Sequence, residues 1–172
     1  MITVRDPDFR FENTCVTVGK FDALHIGHRA LMERMNSFRE RGMKTAVLRL
    51  EMAGEPDIRT EQERIELLEA LGIDIYIRIP FNDQIAHMSA EEFIRDILVG
   101  RLGAKAIVVG DDFRFGYERK GDAALLMREG EKFGFETVVL ERIKCDGEIV
   151  SSSLIRQLIR EKRLEEAYRM LG

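Results

Sequence analysis

Little in this chain points out of the cell or into a membrane. Its 172 residues hold only two cysteines, Cys15 and Cys145, set far apart. Neither has a neighbour at metal-ligand spacing and the pair makes no disulfide framework, so both read as small buried apolar residues in a reducing compartment. The N-terminus, Met1-Ile2-Thr3-Val4-Arg5-Asp6, lacks the apolar core of a signal peptide. Apolar runs extend to about five residues, too short to cross a bilayer. Positive charge is not in excess either: 27 Lys+Arg against 31 Asp+Glu leave a formal charge of −4. That balance argues against a general nucleic-acid binder, although a local basic site stays open. The expectation is a cytoplasmic protein with no nucleic-acid and no membrane partner.

What remains is ordinary globular composition, 45% apolar and 34% charged, which excludes a disordered chain. The length suits one domain spanning 1–172, with enough surface to bury that no metal or disulfide is needed for folding. Strand and helix patterns alternate. Thr14–Val18 is a β-branched run ending at Gly19, and Leu31, Met32, Met35 and Phe38 mark a helix over 28–41. Lys44–Leu50 reads as a strand. Thr60-Glu61-Gln62-Glu63 is a capping box opening a helix to Leu71, and Ile73–Ile79 is the next strand. Ser89-Ala90-Glu91-Glu92 opens another helix, to about Leu102. Ala106–Val109 is apolar throughout, as a strand buried on both faces should be. A helix over 122–133, a strand over 135–140, a hairpin turn at Cys145-Asp146-Gly147-Glu148 and a helix from Ser151 to the end complete the pattern. Such alternation predicts an α/β, Rossmann-like, doubly wound parallel sheet with helices on both faces. Ligands of these sheets bind at the carboxyl ends of the strands, near the switch point, so a functional motif should follow a strand.

Three stretches stand out, the first two of them directly after a strand. Gly19-Lys20-Phe21-Asp22-Ala23-Leu24-His25-Ile26-Gly27-His28 joins a strand to a helix. There two imidazoles can donate to one anion, Gly27 lets a phosphate approach the backbone, and the helix N-terminus adds partial positive charge. This suits a phosphate that gains negative charge during reaction. The plainer alternative is a pair of surface or capping histidines. Val108-Val109-Gly110-Asp111-Asp112-Phe113-Arg114-Phe115-Gly116, continuing to Arg119-Lys120-Gly121-Asp122, runs from a strand into a loop. Its alternating Phe113 and Phe115 could set one ring inward and one against a flat ligand, or simply pack the loop. Val150-Ser151-Ser152-Ser153-Leu154-Ile155-Arg156 places hydroxyls and an arginine at a helix start, an anion site or ordinary serine capping. His87 has no partner at ligand spacing and reads as a surface residue; the methionines sit at core spacing.

In this order the G-x-F-D-x-x-H-x-G-H, V-G-D-D-F-R-F-G-x-x-R-x-G-D and S-S-S-x-I-R stretches resemble the adenylyltransferase module of bacterial FAD synthetases, the N-terminal half of the bifunctional riboflavin kinase/FMN adenylyltransferases. The resemblance runs from about Cys15 to Gly172. The first stretch alone marks the wider His-x-Gly-His nucleotidyltransferases; the second is much more specific to the flavin branch. The resemblance implies transfer of AMP from ATP to the phosphate of FMN, giving FAD and pyrophosphate, with Mg²⁺ carried by the triphosphate and no protein metal ligand assigned. It implies that His25 and His28 steady the α-phosphate, and that Ser152, Ser153 and Arg156 hold the outer phosphates. Gly19, Phe21, Asp22, Gly27, Gly110 and Ser151 would line the ATP site, and Asp112, Phe113, Phe115 and Arg119 the flavin site. The chain departs from the family at Ala23-Leu24, where Gly-Val is usual, and at Ser153, where Thr is usual. Where the family has an F-x-P-H-P stretch and a longer loop over the flavin, this chain has the shorter Leu50–Asp57. No riboflavin kinase domain is expected within 1–172; such a domain would be a covalent partner in a longer chain.

Two other readings stay open at this stage. One keeps the ATP half and changes the acceptor to another phosphorylated small molecule, as the short 51–57 segment invites. The other is a flavin- or nucleotide-binding regulator without turnover, against which stand the retained histidines, Ser152 and Arg156. A class I aminoacyl-tRNA synthetase, which shares the His-x-Gly-His signature, is disfavoured by the missing K-M-S-K-S type loop and the acidic charge.

Overall fold

The computed structural model describes residues 1–6, 8–52, 54 and 56–172. Six parallel strands form one sheet: β1 (Ile2–Val4), β2 (Thr14–Gly19), β3 (Lys44–Glu51), β4 (Ile75–Pro80), β5 (Ala104–Gly110) and β6 (Glu136–Leu140), in the order β1-β4-β3-β2-β5-β6. The chain winds outward from β2 through β3 to β4, then crosses back to β5 and β6. The sheet's direction of winding therefore reverses between β2 and β5, and the strand ends there are Gly19 and Gly110. Helix α1 (Ile26–Asn36) and α2 (Glu61–Ala70) cover one face, where Met32, Met35 and Leu68 pack on Cys15, Val47, Tyr76 and Val108. The opposite face packs Val16, Val18, Leu48, Ile77 and Val109 against Phe93, Ile94, Ile97 and Leu126. Those come from the helix that starts at α4 (Ala90–Glu92), continues with wide π-type turns over Phe93–Val99, and from α5 (Ala123–Phe133). The doubly wound parallel sheet is thus as the alternating pattern predicts. Between β4 and α4 lies the short α3 (Asp83–Ala86), and β7 (Lys144–Cys145) with β8 (Glu148–Ile149) makes the hairpin around Asp146-Gly147.

Four details differ from the sequence reading. Strand β1 adds an edge that three residues with little pattern do not announce. Helix α1 begins at Ile26, two residues before the expected start, because His25 serves as its cap: the His25 ring nitrogen Nδ1 accepts from the amide of His28 at 3.3 Å. Cys145 is only half-buried, at the hairpin, whereas Cys15 is buried with its thiol pushed up to about 12 by desolvation. The helix expected from Ser151 to the end is two helices, α6 (Ser152–Arg160) and α7 (Leu164–Leu171), broken where Lys162 takes φ +61°. A straight helix would carry the apolar face of α7 into solvent. The break folds Ala167, Met170 and Leu171 back onto Ile155 and Leu158, and burial of that face outweighs one strained residue.

Candidate active site

A cleft of about 900 Å³ opens at the switch point. It is lined by residues of all three stretches: Gly19, Phe21, His25, Gly27 and His28 from the first; Gly110, Asp112, Phe113, Phe115 and Arg119 from the second; Ser151 and Ser152 from the third. A smaller polar recess of about 310 Å³ adjoins it and holds Asp22, Ser153 and Arg156. The remaining candidates thus lie beside the main cleft rather than in it. Lys20, His28 and Ser152 border both spaces.

The turn after β2 is built under strain. Phe21 and Leu24 have φ of +49° and +45°, a left-handed geometry that costs bulky residues about 1 kcal/mol or more each. Packing and hydrogen bonds hold them there. Phe21 and Leu24 are buried among Met32, Val47 and Tyr76. The Phe21 ring lies edge-on to His28, centroids 5.0 Å apart, and under Gly19, where a Cβ would come within 3.0 Å of it. Gly27 has a similar function: a Cβ there would sit 3.1 Å from His25 Nδ1, so glycine lets the His25 ring fold back onto its cap. Because Nδ1 accepts the His28 amide, the proton of neutral His25 is on Nε2, leaving a donor for a ligand.

Both histidines are held neutral. Burial takes the His25 pKa down to about 4, against the opposing pull of Asp22 and Asp112. Burial, with the neighbouring His25, takes His28 down to about 3. The His28 Nδ1 is buried without a protein partner among the described residues. At neutral pH the pair offers directed N–H donors and no net charge. Charge comes from the N-terminus of α1 and from Arg156.

Asp22 links the first stretch to the third. Its Oδ1 accepts from the Ser152 hydroxyl at 2.6 Å and from the Ala23 amide at 2.8 Å, and its Oδ2 from Arg156 Nη2 at 2.6 Å. Burial pushes its carboxyl up, but the bonds from Ser152 and Arg156 outweigh that and hold it below the usual carboxylate range. Arg156 Nη1 also donates to the Pro56 carbonyl at 2.7 Å. Ser151 caps α6, accepting from the Leu154 amide at 3.2 Å. In the second stretch Phe115 is buried in the core and Phe113 is half-buried against it, the rings stacked 5.3 Å apart at 17°, and both border the cleft. The pair does not divide into one inward ring and one cleft ring, as its alternation suggests, because the two rings stack on each other.

Several lining residues are not among the site candidates named from the sequence. Leu50 and Met52 reach the cleft from the end of β3, and Arg142, Ile143 and Ile149 from the hairpin side. Arg142 pairs with Asp111 at 2.9 Å, joining the β6 end to the β5 loop. The strand-end rule would have found Leu50; nothing local marks the hairpin residues. Of the 50–57 segment, Ala53 and Glu55 lie outside the described residues. Asp57 is bound to Arg64 at 2.9 Å and also pairs with Arg49. His87 stacks on Tyr117 at the surface, away from the cleft, as expected.

Comparison with known proteins agrees with this geometry. The model of the FAD synthetase family matches residues 9–154. Proteins named bifunctional riboflavin kinase/FMN adenylyltransferase match with 32% identity in Buchnera aphidicola subsp. Schizaphis graminum, over 93% of this chain and 55% of that protein, and with 33% identity in Escherichia coli K12, over 94% and 55%. The chain therefore spans about half the length of these curated relatives. Among solved structures, one described as a macrolide-efflux protein from Streptococcus pneumoniae superposes with a TM-score of 0.85 and 28% identity, over all of this chain and 60% of that one. No helix among the described residues is long and apolar enough to cross a membrane.

Proposed function

The chain belongs to the FAD synthetase family, and from that premise we propose that it transfers AMP from ATP to the phosphate of FMN, releasing pyrophosphate and FAD. The observation that supports this best is the convergence of three stretches, far apart in sequence, on one cleft at the switch point. A phosphate oxygen of FMN attacks the α-phosphorus of ATP, and the bond to the bridging oxygen of pyrophosphate breaks. No protein nucleophile is needed; alignment and charge stabilisation carry the step. The Nε2–H of His25, a ring N–H of His28 and the first amides of α1 donate to the α-phosphate oxygens as charge builds. Ser152 and Arg156, organised by Asp22, take the outer phosphates together with Ser153. The exposed ammonium of Lys20 borders both spaces and adds the permanent positive charge that the neutral histidines lack. Gly19, Phe21, Gly27, Gly110 and Ser151 form the ATP wall. Phe113, stacked on Phe115, gives a flat apolar surface for the isoalloxazine, with Asp112 and Arg119 beside it.

Among the described residues no group of three or more His, Cys, Asp or Glu side chains could hold a metal. Mg²⁺ enters this proposal with the triphosphate, held by phosphate oxygens and water. The setting proposed is the cytoplasm, in keeping with two free thiols. The partner activity is a riboflavin kinase, the source of FMN, which the relatives' names place in the same protein.

The test mixes purified protein, FMN, ATP and Mg²⁺ and quantifies FAD and pyrophosphate together. Equal amounts of both are expected. Pyrophosphate released only with a different phosphorylated acceptor would overturn the flavin assignment, and ATP binding with no product from any acceptor would leave a regulator.

A further inference from the structure

Four consecutive backbone carbonyls in the turn before His25 are each capped by an arginine that belongs to none of the three stretches. Arg49 Nε donates to the Lys20 carbonyl at 3.0 Å. Arg64 donates to Phe21 O through Nε at 2.8 Å and to Asp22 O through Nη2 at 3.4 Å. Arg59 donates to Ala23 O through Nε at 2.7 Å, and its own amide donates to Asp22 O at 3.2 Å. Arg64 is the centre of the group. It is fully buried, and its Nη groups also bind Glu61 at 2.5 Å, Asp57 at 2.9 Å and the Arg59 carbonyl at 3.2 Å.

A buried guanidinium needs opposite charge and filled donors. Here the carboxylates of Asp57 and Glu61 balance the charge, and the backbone of the turn takes the donors that remain. The planar fork of Arg64 fixes direction as well as distance, which a lysine's single ammonium does not. The turn it grips carries the strained Phe21, whose ring supports His28, and Asp22, which organises Ser152 and Arg156. We propose that Arg64 is a positioning residue for adenylyl transfer, holding the 20–23 turn so that Asp22, His25 and His28 meet the transferring phosphate in register.

The proposal rests on the adenylyl-transfer reading, and its test keeps the two separable. Arg64→Lys is compared with Arg78→Met. Arg78 pairs with Glu51 and, at 3.0 Å, with Glu61 in the same ionic cluster, yet it touches no carbonyl of the turn. With only three histidines in the chain, the His25 ring is followed by NMR through a pH titration, beside thermal melting and steady-state rates of FAD formation. In Arg64→Lys, kcat is expected to fall by about 10–100-fold with KM for ATP within about threefold, because misplacement by an ångström costs that much in rate. The His25 pKa should rise from about 4 toward its ordinary 6.5 as the turn loosens and the ring is solvated. In Arg78→Met both should stay at wild-type values, whatever its melting temperature. Unchanged kcat and His25 titration in Arg64→Lys would overturn the proposal, as would equal changes in both variants. If the wild-type protein makes no FAD, the His25 titration alone decides whether Arg64 positions the turn. If Arg64→Lys does not fold, Arg59→Met, which frees only the Ala23 carbonyl, supplies the same readout.

Discussion

The imidazole of His25 lies nearly parallel to that of His28, ring centroids 3.7 Å apart and planes inclined by 15°. Two protonated rings at that distance would repel, and burial removes the water that would soften the repulsion. The geometry is therefore built for neutral rings.

A dependence of stability on pH follows. Both histidines have folded-state pKa values, about 4 and about 3, below the ordinary 6.5. The unfolded chain then binds more protons between those limits, and stability falls as pH drops through that window. It is at full value above about pH 6.5 for these two groups and is lost progressively toward pH 4 and below. Urea midpoints between pH 7.5 and pH 4.5 should decline, and the double variant His25→Gln/His28→Gln should decline less. Parallel curves for the two proteins would remove the histidines as the cause.

His28→Ala should lower the rate of FAD formation by about 100–1,000-fold while ATP affinity changes by less than about threefold, because a donor aimed at developing charge is stronger in the transition state. Single-turnover rates and calorimetric binding of a non-hydrolysable ATP analogue separate the two quantities. Equal losses in both would give His28 a role in ground-state binding instead.

Arg156→Ala should weaken ATP by at least about tenfold and AMP hardly at all, since the guanidinium faces the recess next to Ser152 and Ser153 rather than the main cleft. It also leaves the buried Asp22 carboxylate with one charged partner fewer, a loss of about 1–3 kcal/mol in folding stability. Calorimetry with both nucleotides reads the first effect and chemical denaturation the second. Equal weakening of ATP and AMP would take the outer phosphates away from this residue.

Lys162→Gly should stabilise the chain by about 0.5–1 kcal/mol, because a left-handed residue after a helix favours glycine. Lys162 is exposed at φ +61°, with its amide donating to the Ile159 carbonyl at 3.1 Å. Urea denaturation measures the change; a loss of stability would mean that the lysine side chain contributes more than the strain costs.

The sheet and most of its helices were legible because apolar periodicity and capping boxes are local signals. Thr60 and Ser89 both close the reciprocal hydrogen bonds their spacing implies. The break at Lys162 was not, since no glycine marks it and the packing of α7 on α6 decides it. Likewise the clustering of the candidate residues followed from the rule that ligands bind at strand ends. The division into a cleft and a recess did not, because it depends on Asp22 reaching Ser152 and Arg156. Arg49, Arg59 and Arg64 lie outside any motif, and only the path of the turn shows what they grip.

Asp22 meets Ser152 across 130 positions of sequence and Arg156 across 134. During synthesis the histidine turn leaves the ribosome long before Ser152 and Arg156 exist. A chain stalled or cut before α6 would keep much of the sheet yet lack Ser152, Ser153 and Arg156. Closing so long a loop is slow and comes only with the rest of the fold. Under the proposed adenylyl transfer, turnover of ATP is thereby tied to completion of this part of the polypeptide.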